Sequence, residues 1–162
     1  MKEIISQLTE ANVGKVWENE PLKHHTTIKV GGPVDLMVQP KDKEGLVRTF
    51  QLINQFGLPY WVIGRGSNLL VRDGGLRGVV IKLGEGLDYL KIDNCHVTCG
   101  AGLSFVKLAM TVAKQGLSGL EFAGGIPGTV GGAVYMNAGA HGSDVSRVLS
   151  SAEVLFEDGK IT

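Results

Sequence analysis

The chain has 162 residues, of which 43% are hydrophobic and 20% are charged, a composition typical of a globular domain with a hydrophobic core. Sixteen Lys and Arg residues balance sixteen Asp and Glu residues, so there is no net field to attract nucleic acid or an anionic membrane, and neither partner is expected. The chain contains neither an apolar run of signal-peptide length near its start nor the roughly 20 apolar residues of a membrane span, which predicts a cytoplasmic protein.

The first part of the chain predicts alternating helices and strands. A short helix is expected over Lys2–Ala11, followed by a polar connection through Lys23. Val34–Val38 predict a strand, and Asp42–Phe56 predict a helix that Gly57 and Pro59 end. Tyr60–Ile63 predict a second short strand.

Four strand-like runs follow in the order LLVRD, GVVIKL, LDYLKID and CHVTC. Their connections are too short for helical crossovers, which predicts antiparallel pairing. Ser104 is a plausible N-cap for a helix that ends near Gln115, with an apolar face of Phe105, Leu108, Ala109 and Val112. Ala152–Phe156 predict a last strand and Glu157–Lys160 a hairpin turn, so we expect the chain to end within a hairpin.

The first glycine-rich loop directly follows the Tyr60–Ile63 strand. In WVIGRGSNLLVRD, Gly64, Gly66, Ser67 and Asn68 are small enough for successive backbone N–H groups to face one anion, as in a phosphate cradle. The loop is not a Rossmann fingerprint, because a strand-like run and not a helix follows it. It is not a Walker loop, because no GK[ST] follows it. A tight turn without a ligand is the alternative interpretation.

A second glycine-rich segment, AGGIPGTVGGAVYMNAGAHG, lies in the densest cluster of the chain's 24 glycines. Pro127 suits the first turn of a helix, and Gly128, Thr129, Gly131 and Gly132 would give that helix a smooth surface for a phosphate or a flat ring. A close helix crossing is the alternative. The readily titrating side chains nearby, Glu121, His141 and Asp144, have no spacing that indicates an acid–base pair.

The remaining titratable residues predict no further site. Cys95 and Cys99 would lie on one strand face about 13 Å apart, too far for a disulfide, and their spacing does not suit zinc, so no metal is expected. His24 and His25 have no evident acidic partner in sequence and are interpreted as loop residues. Two nucleotide-contacting loops without catalytic side chains suggest that a cofactor supplies the chemistry.

Three segments, TTIKVGGPVDLMVQP, WVIGRGSNLLVRDGGLRGVVIKL and GLEFAGGIPGTVGGAVYMNAGAHG, resemble the UDP-N-acetylenolpyruvoylglucosamine reductases over roughly Leu22–Lys160. The resemblance implies an α+β fold of the two-lobed FAD-binding (PCMH) type, with a small N-terminal lobe and a larger, mostly antiparallel sheet flanked by helices. It divides the chain into an N-terminal helix and connection, residues 1–21, and an FAD-binding domain, residues 22–162, truncated at its C-terminal end and without the substrate-binding domain.

The same resemblance implies which residues bind FAD. The first loop would surround the pyrophosphate, the second would complete its binding, and a third group would lie near the flavin. These residues are Gly64, Arg65, Gly66, Ser67, Asn68 and Leu69, then Gly125, Ile126, Pro127, Thr129, Gly131 and Gly132, then Asn137, Ala138 and Gly139.

The family's reaction passes a hydride from NADPH through FAD to the enolpyruvyl double bond of a UDP-sugar, in peptidoglycan synthesis for the cell wall. The arginine, glutamate and serine that assist this reaction in the family would all fall beyond Thr162, so no residue of this chain is assigned a catalytic role. The alternatives are a stand-alone flavin-binding module and an oxidase-type flavoprotein of the same fold group.

Overall fold

A four-stranded sheet organises the first half of the molecule in the computed structural model, which describes all residues, 1–162. Its strands are β1 (Gly14–Pro21), β2 (Pro33–Pro40), β3 (Tyr60–Ile63) and β4 (Leu76–Lys82), arranged in the order β1-β2-β4-β3. β1 is antiparallel to β2, whereas β4 runs parallel to both β2 and β3. The helices α1 (Lys2–Glu10) and α2 (Lys43–Gln55) belong to this half.

The second half contains two helices and two small hairpins. The helices are α3 (Phe105–Lys114) and α4 (Val130–Tyr135). The antiparallel pairs are β5 (Leu90–Asp93) with β6 (His96–Cys99), and β7 (Gly139–Ala140) with β8 (Ser143–Asp144). Short 3-10 helices span Leu22–His24, Glu85–Leu87, Glu121–Gly125 and Val145–Arg147. None of the α-helices has the length and apolar character of a membrane span.

Separate hydrophobic cores stabilise the two halves. Leu36, Val38, Val79 and Ile81 on one face of the sheet are fully buried in the cluster that also contains residues of α1 and α2. The opposite face of the sheet carries a smaller cluster that includes Met37 and Val80. In the second half the core contains Leu103, the buried face of α3 and residues from the Glu121–Gly125 helix and α4. The elements are therefore those of the predicted α+β, two-lobed fold.

The predicted cap and apolar face of α3 are confirmed, and α2 begins after a side-chain cap at Asp42. Asp42 Oδ1 accepts a hydrogen bond from Gly45 N at 2.7 Å, which satisfies one of the free N–H groups at the start of α2. Ser104 Oγ accepts from Lys107 N and caps α3 in the same way. The four residues predicted for the buried face of α3, Phe105, Leu108, Ala109 and Val112, are all buried.

The prediction of a mostly antiparallel sheet is wrong for the four-stranded sheet, in which two of the three pairings are parallel. The run LLVRD is not a strand. It belongs to the connection between Ile63 and Leu76, whose twelve residues are enough for β4 to return beside β3 in the parallel direction without a helix. Antiparallel pairing is confirmed for the hairpin of β5 and β6.

Two further segments differ from prediction. Residues 14–21, interpreted as a polar connection, form strand β1, whose polar side chains suit its position at the edge of the sheet. The predicted strand Ala152–Phe156 is reduced to a single bridge between Leu155 and Ile161, although the turn at Glu157–Lys160 is present. Cys95 lies in the turn before β6 and is exposed, and both thiols are free.

Candidate functional site

The two glycine-rich loops are in direct contact. Ser67 Oγ donates a hydrogen bond to the carbonyl oxygen of Pro127 at 3.1 Å, across sixty residues of sequence. Gly64 lies against the side chain of Thr129, where an added Cβ would be 2.9 Å from Cγ2 and closer still to Oγ1. The structure therefore brings together the first two groups of residues that the resemblance implies for one ligand.

Gly66 has a conformation and an environment that no other residue type fits. Its φ is +67°, in the left-handed region, and an added Cβ would collide with the carbonyl oxygen of His25 and lie 2.9 Å from Cα of Thr26. Its own carbonyl oxygen accepts a hydrogen bond from Thr27 N at 3.2 Å. The segment His25–Thr27 therefore packs directly against the first loop at Gly66.

The first loop presents a series of unused backbone donors. None of the N–H groups of Arg65, Gly66, Ser67, Asn68 and Leu69 donates to an acceptor within the protein, although Gly66 is buried. Buried N–H groups are almost always hydrogen-bonded, so a buried, unpaired donor at a loop indicates a ligand or solvent acceptor. Successive N–H groups of this kind fit an anionic phosphate.

The second loop differs from prediction in its helix. Contrary to the prediction, Pro127 does not lie in the first turn of α4: the helix begins at Val130 and is capped by Thr129, whose Oγ1 accepts from Gly132 N. Pro127 lies before the helix, exposed, with its carbonyl oxygen turned to Ser67. Since α4 has only six residues, its dipole adds little, and the donors of the first loop are the stronger feature.

The glycines of the second loop have two different surroundings. Gly131 packs on the chain itself: its N–H donates to Ala101 O at 2.9 Å, and an added Cβ would be 2.9 Å from Ala101 Cβ. Gly124 and Gly125 face open space, with no atom within 4 Å of an added Cβ. Close packing against the chain itself therefore accounts for Gly131, whereas Gly124 and Gly125 have free space for a ligand.

Asn137, Ala138 and Gly139 lie at the other end of α4, about 9 Å along the helix axis from its start. Asn137 adopts φ +43°, and its Oδ1 accepts a hydrogen bond from Ser146 N at 2.9 Å. Ala138 N donates to Ala133 O, and Gly139 pairs with Asp144 in the β7–β8 hairpin. The hydrogen bonds of these residues are thus local and do not reach the first loop.

A cavity of about 330 Å³ lies beside the same hairpin and is lined by Glu121, Phe122, His141 and Ser143. The structure thereby places Glu121 and His141 around one space, which their sequence spacing did not indicate. The Glu121 carboxylate accepts from Gly119 N at 2.8 Å and makes no hydrogen bond to His141. Asp144 likewise accepts from Ser146, which holds the pKa of its carboxyl below the ordinary value.

A cluster of ionisable residues near the first loop was not predicted from the sequence. His25 Nδ1 lies 2.7 Å from Lys82 Nζ, and its Nε2 lies 2.9 Å from Glu20 Oε1. His24 Nδ1 is 3.3 Å from the same carboxylate oxygen. The interpretation of His24 and His25 as loop residues without an acidic partner is therefore wrong, and the spacing of four and five residues from Glu20 was the available signal.

The environment shifts the pKa values of two members of this cluster. Burial favours the protonated form of Glu20, but the hydrogen bonds from His25 and His24 outweigh burial and lower the pKa of the carboxyl below its ordinary value. Burial lowers the pKa of Lys82; the charge of Glu20 opposes this change and that of Arg65 reinforces it. Arg65, at the start of the first loop, is thus near enough to affect the Lys82 ammonium.

Comparisons with known proteins identify the family to which this chain is related. A family model described as an FAD binding domain matches residues 34–162. The UDP-N-acetylenolpyruvoylglucosamine reductase of Anoxybacillus flavithermus is 63% identical over 161 residues, which are 99% of this chain and 53% of that protein. This chain therefore spans about half the length of the curated relatives it matches.

Solved structures are similar to the whole fold. The crystal structure of UDP-N-acetylenolpyruvylglucosamine reductase from Thermus caldophilus has a TM-score of 0.76 and 39% identity, over 91% of this chain and 51% of that chain. Alkyldihydroxyacetonephosphate synthase has a TM-score of 0.73 at 19% identity, over 98% of this chain and 37% of that chain, and this likeness concerns the fold alone.

Proposed function

This chain belongs to the FAD binding domain family, and we propose that the cleft between its two glycine-rich loops holds the diphosphate of FAD. The series of unpaired N–H donors from Arg65 to Leu69 carries the proposal, because it offers several hydrogen bonds to one anion. The open surface at Gly124 and Gly125, close in sequence to Pro127, which contacts the first loop, also supports it.

Each predicted residue has a proposed role in this site. Gly64 and Gly66 permit the close approach of chain segments, while the N–H groups from Arg65 to Leu69, including that of Gly66, provide backbone donors for the diphosphate. Gly131 holds the second loop against Ala101, and Thr129 caps α4 and contacts Gly64. The residues proposed to line the rest of the cofactor's path are Gly125, Ile126, Pro127 and Gly132, with Asn137, Ala138 and Gly139 toward the flavin.

For the whole protein we propose the activity named in its relatives, the reduction of UDP-N-acetylglucosamine enolpyruvate to UDP-N-acetylmuramate in peptidoglycan synthesis, with NADPH as hydride donor. Identity of 63% to one such reductase along 99% of this chain supports the proposal. Bound FAD would supply the hydride-transfer chemistry. The residues of this chain would bind and orient that cofactor, with no role in protonating the substrate.

FAD binding to the 162-residue chain tests the site directly. We expect the purified protein to bind FAD and to show the absorption bands of oxidised flavin. Denaturation should release the flavin intact. Gly125→Leu should weaken FAD binding at least tenfold, because its side chain would fill the open surface of the second loop, two residues before Pro127. Gly74→Leu is a matched control, since Gly74 also has open space around an added Cβ and a φ outside the left-handed region, but lies outside both loops.

The two outcomes have separate meanings. A folded chain that binds no FAD at any concentration tested would contradict the proposed site. Equal FAD affinity of Gly125→Leu and Gly74→Leu would contradict the participation of the second loop.

The activity of the whole protein requires a second assay. We expect the FAD-loaded chain of 162 residues to give no enzyme-like turnover of the UDP-enolpyruvyl sugar, whereas a chain extended to the length of its relatives should produce UDP-N-acetylmuramate from NADPH. The reason is that a positioned general acid contributes about 10²–10⁴ to such a rate, and no residue described above takes this role. Comparable turnover by both proteins would show that the catalytic groups lie within residues 1–162.

A further inference from the structure

Lys82 ends strand β4 beside the origin of the first loop. Its Cα is paired with that of Ile63, the last residue of β3, and Leu83 N donates to Ile63 O at 2.8 Å. Because side chains alternate between the two faces along β4, Lys82 lies on the same face as Val80. This face carries the smaller hydrophobic cluster, and the opposite face packs against α1 and α2. The half-buried side chain therefore lies on that face, level with Ile63, after which the first loop begins.

The hydrogen bonds of His25 define how the Lys82 ammonium is held. An ammonium can only donate, so His25 Nδ1 accepts from Lys82 Nζ. An ionised carboxylate can only accept, so His25 Nε2 carries the proton that is donated to Glu20 Oε1. His25, with its side chain 12% exposed, thus connects the two charged groups and orients the lysine side chain.

The charges around Lys82 are not balanced. Lys82 forms no ion pair, and the carboxylate of Glu20 is separated from it by the imidazole ring. Arg65, Glu85 and Lys15 also act on the Lys82 ammonium, and Lys15 and Glu85 pair with each other at 3.8 Å. Two positive charges, Lys82 and Arg65, therefore stand against the one carboxylate of Glu20, beside the loop in which five backbone N–H groups are unpaired. Two of the three ammonium donors of Lys82 have no partner in the protein, which suits an anionic acceptor.

We propose that Lys82, together with the guanidinium of Arg65, is a cationic contact for the diphosphate of FAD, and that His25 and Glu20 are positioning residues that direct the Lys82 ammonium toward the first loop. This inference rests on the proposed binding of FAD in the cleft. It makes the site a backbone cradle with two cations, Arg65 and Lys82, rather than a cradle with one.

The test compares FAD with riboflavin, which has the same flavin but no phosphate, by quenching of flavin fluorescence. Lys82→Met keeps most of the side-chain volume and removes the charge. We expect this variant to bind FAD about 10- to 100-fold more weakly than the unmodified chain, with riboflavin affinity unchanged. Lys82→Arg should restore most of the FAD affinity, and Lys91→Gln, an exposed lysine on β5, should have no effect.

Salt and His25 provide the second readout. The affinity of Lys82→Met for FAD should depend less on salt than that of the unmodified chain, because one of two screened charges is lost. His25→Ala keeps the lysine charge but removes its support, so we expect a smaller loss, about three- to tenfold, with unchanged salt dependence. Urea unfolding of each variant establishes that it is folded.

The outcomes separate this inference from the proposed function. If the unmodified chain binds no FAD, the proposed function fails. If it binds FAD and Lys82→Met binds FAD equally well, or loses riboflavin and FAD affinity to the same extent, the role of Lys82 is disproved while the site remains. Unchanged FAD affinity of His25→Ala would disprove the positioning role.

Discussion

Gly64 and Thr129 join the two glycine-rich loops across a gap that has no room for a methyl group. A Cβ added to Gly64 would lie 2.9 Å from Thr129 Cγ2 and 3.2 Å from Thr129 Cβ, and closer still to Oγ1. Thr129 is only 2% exposed, and its Oγ1 also accepts from Gly132 N. One threonine side chain therefore both caps α4 and sets the separation of the loops.

The first prediction concerns this contact. Gly64→Ala should lower the free energy of unfolding by about 1–3 kcal/mol, because the new methyl group forces the loops apart. Thr129→Ala alone should cost about 0.5–2 kcal/mol through loss of the cap. Chemical denaturation of the two single variants and the double variant measures both effects.

The double variant is the control for this prediction. Removing Oγ1 and Cγ2 of Thr129 frees most of the space that the methyl group introduced by Gly64→Ala would need, so the double variant should be more stable than the sum of the single losses implies. Strict additivity would show that the two side chains do not compete for one space.

The second prediction compares glycines in the two loops with a thiol outside them. Gly66→Val and Gly131→Val should each retain less FAD after gel filtration than Cys95→Ser. The valine introduced by the first change would need a left-handed φ and meet His25, while the valine introduced by the second would meet Ala101 and move the second loop. Cys95 is exposed in a turn. Equal FAD retention in three folded variants would argue against both loops as the binding site.

The third prediction is a dependence of stability on pH at Glu20. Hydrogen bonds from His25 and His24 overcome burial and give the folded state a pKa below the ordinary value of 4.5, so the ionised carboxylate stabilises the fold. This contribution is complete above the unfolded pKa and is lost as the pH falls through the lower, folded pKa. Urea unfolding at neutral pH and at about pH 3.5 should therefore show a smaller acid-induced loss for Glu20→Gln than for the unmodified chain. An identical acid-induced loss would contradict the assignment.

The fourth prediction separates the two thiols. Burial raises the pKa of Cys99, which lowers its thiolate fraction near neutral pH, whereas Cys95 is exposed. Iodoacetamide at about pH 8 should therefore alkylate Cys95 at least several times faster than Cys99, as peptide mass spectrometry would measure. The Cys95→Ser variant should retain only the slow phase, and a fast phase in that variant would contradict the burial of Cys99.

Much of the fold and part of the site were predictable because their signals are local in sequence. Asp42 and Ser104 cap their helices through residues three positions ahead, and the apolar stripe of α3 repeats at helical spacing. The first glycine loop and its small residues likewise follow directly from the letters GRGSN. Such features depend on neighbours within one turn or one strand, so a single sequence contains the information.

Tertiary structure alone decided the rest. The parallel direction of β4 depends on how a twelve-residue connection crosses the end of the sheet, and the composition of that connection does not encode its path. In the Glu20–His25–Lys82 cluster, Glu20 and His25 are only five residues apart, but Lys82 comes from a strand 57 residues beyond His25. The contact of Ser67 with Pro127 also depends on the docking of two separately packed halves. The distances between residues that are remote in sequence are set by how the hydrophobic cores pack together. The sequence pattern within one segment does not predict these distances.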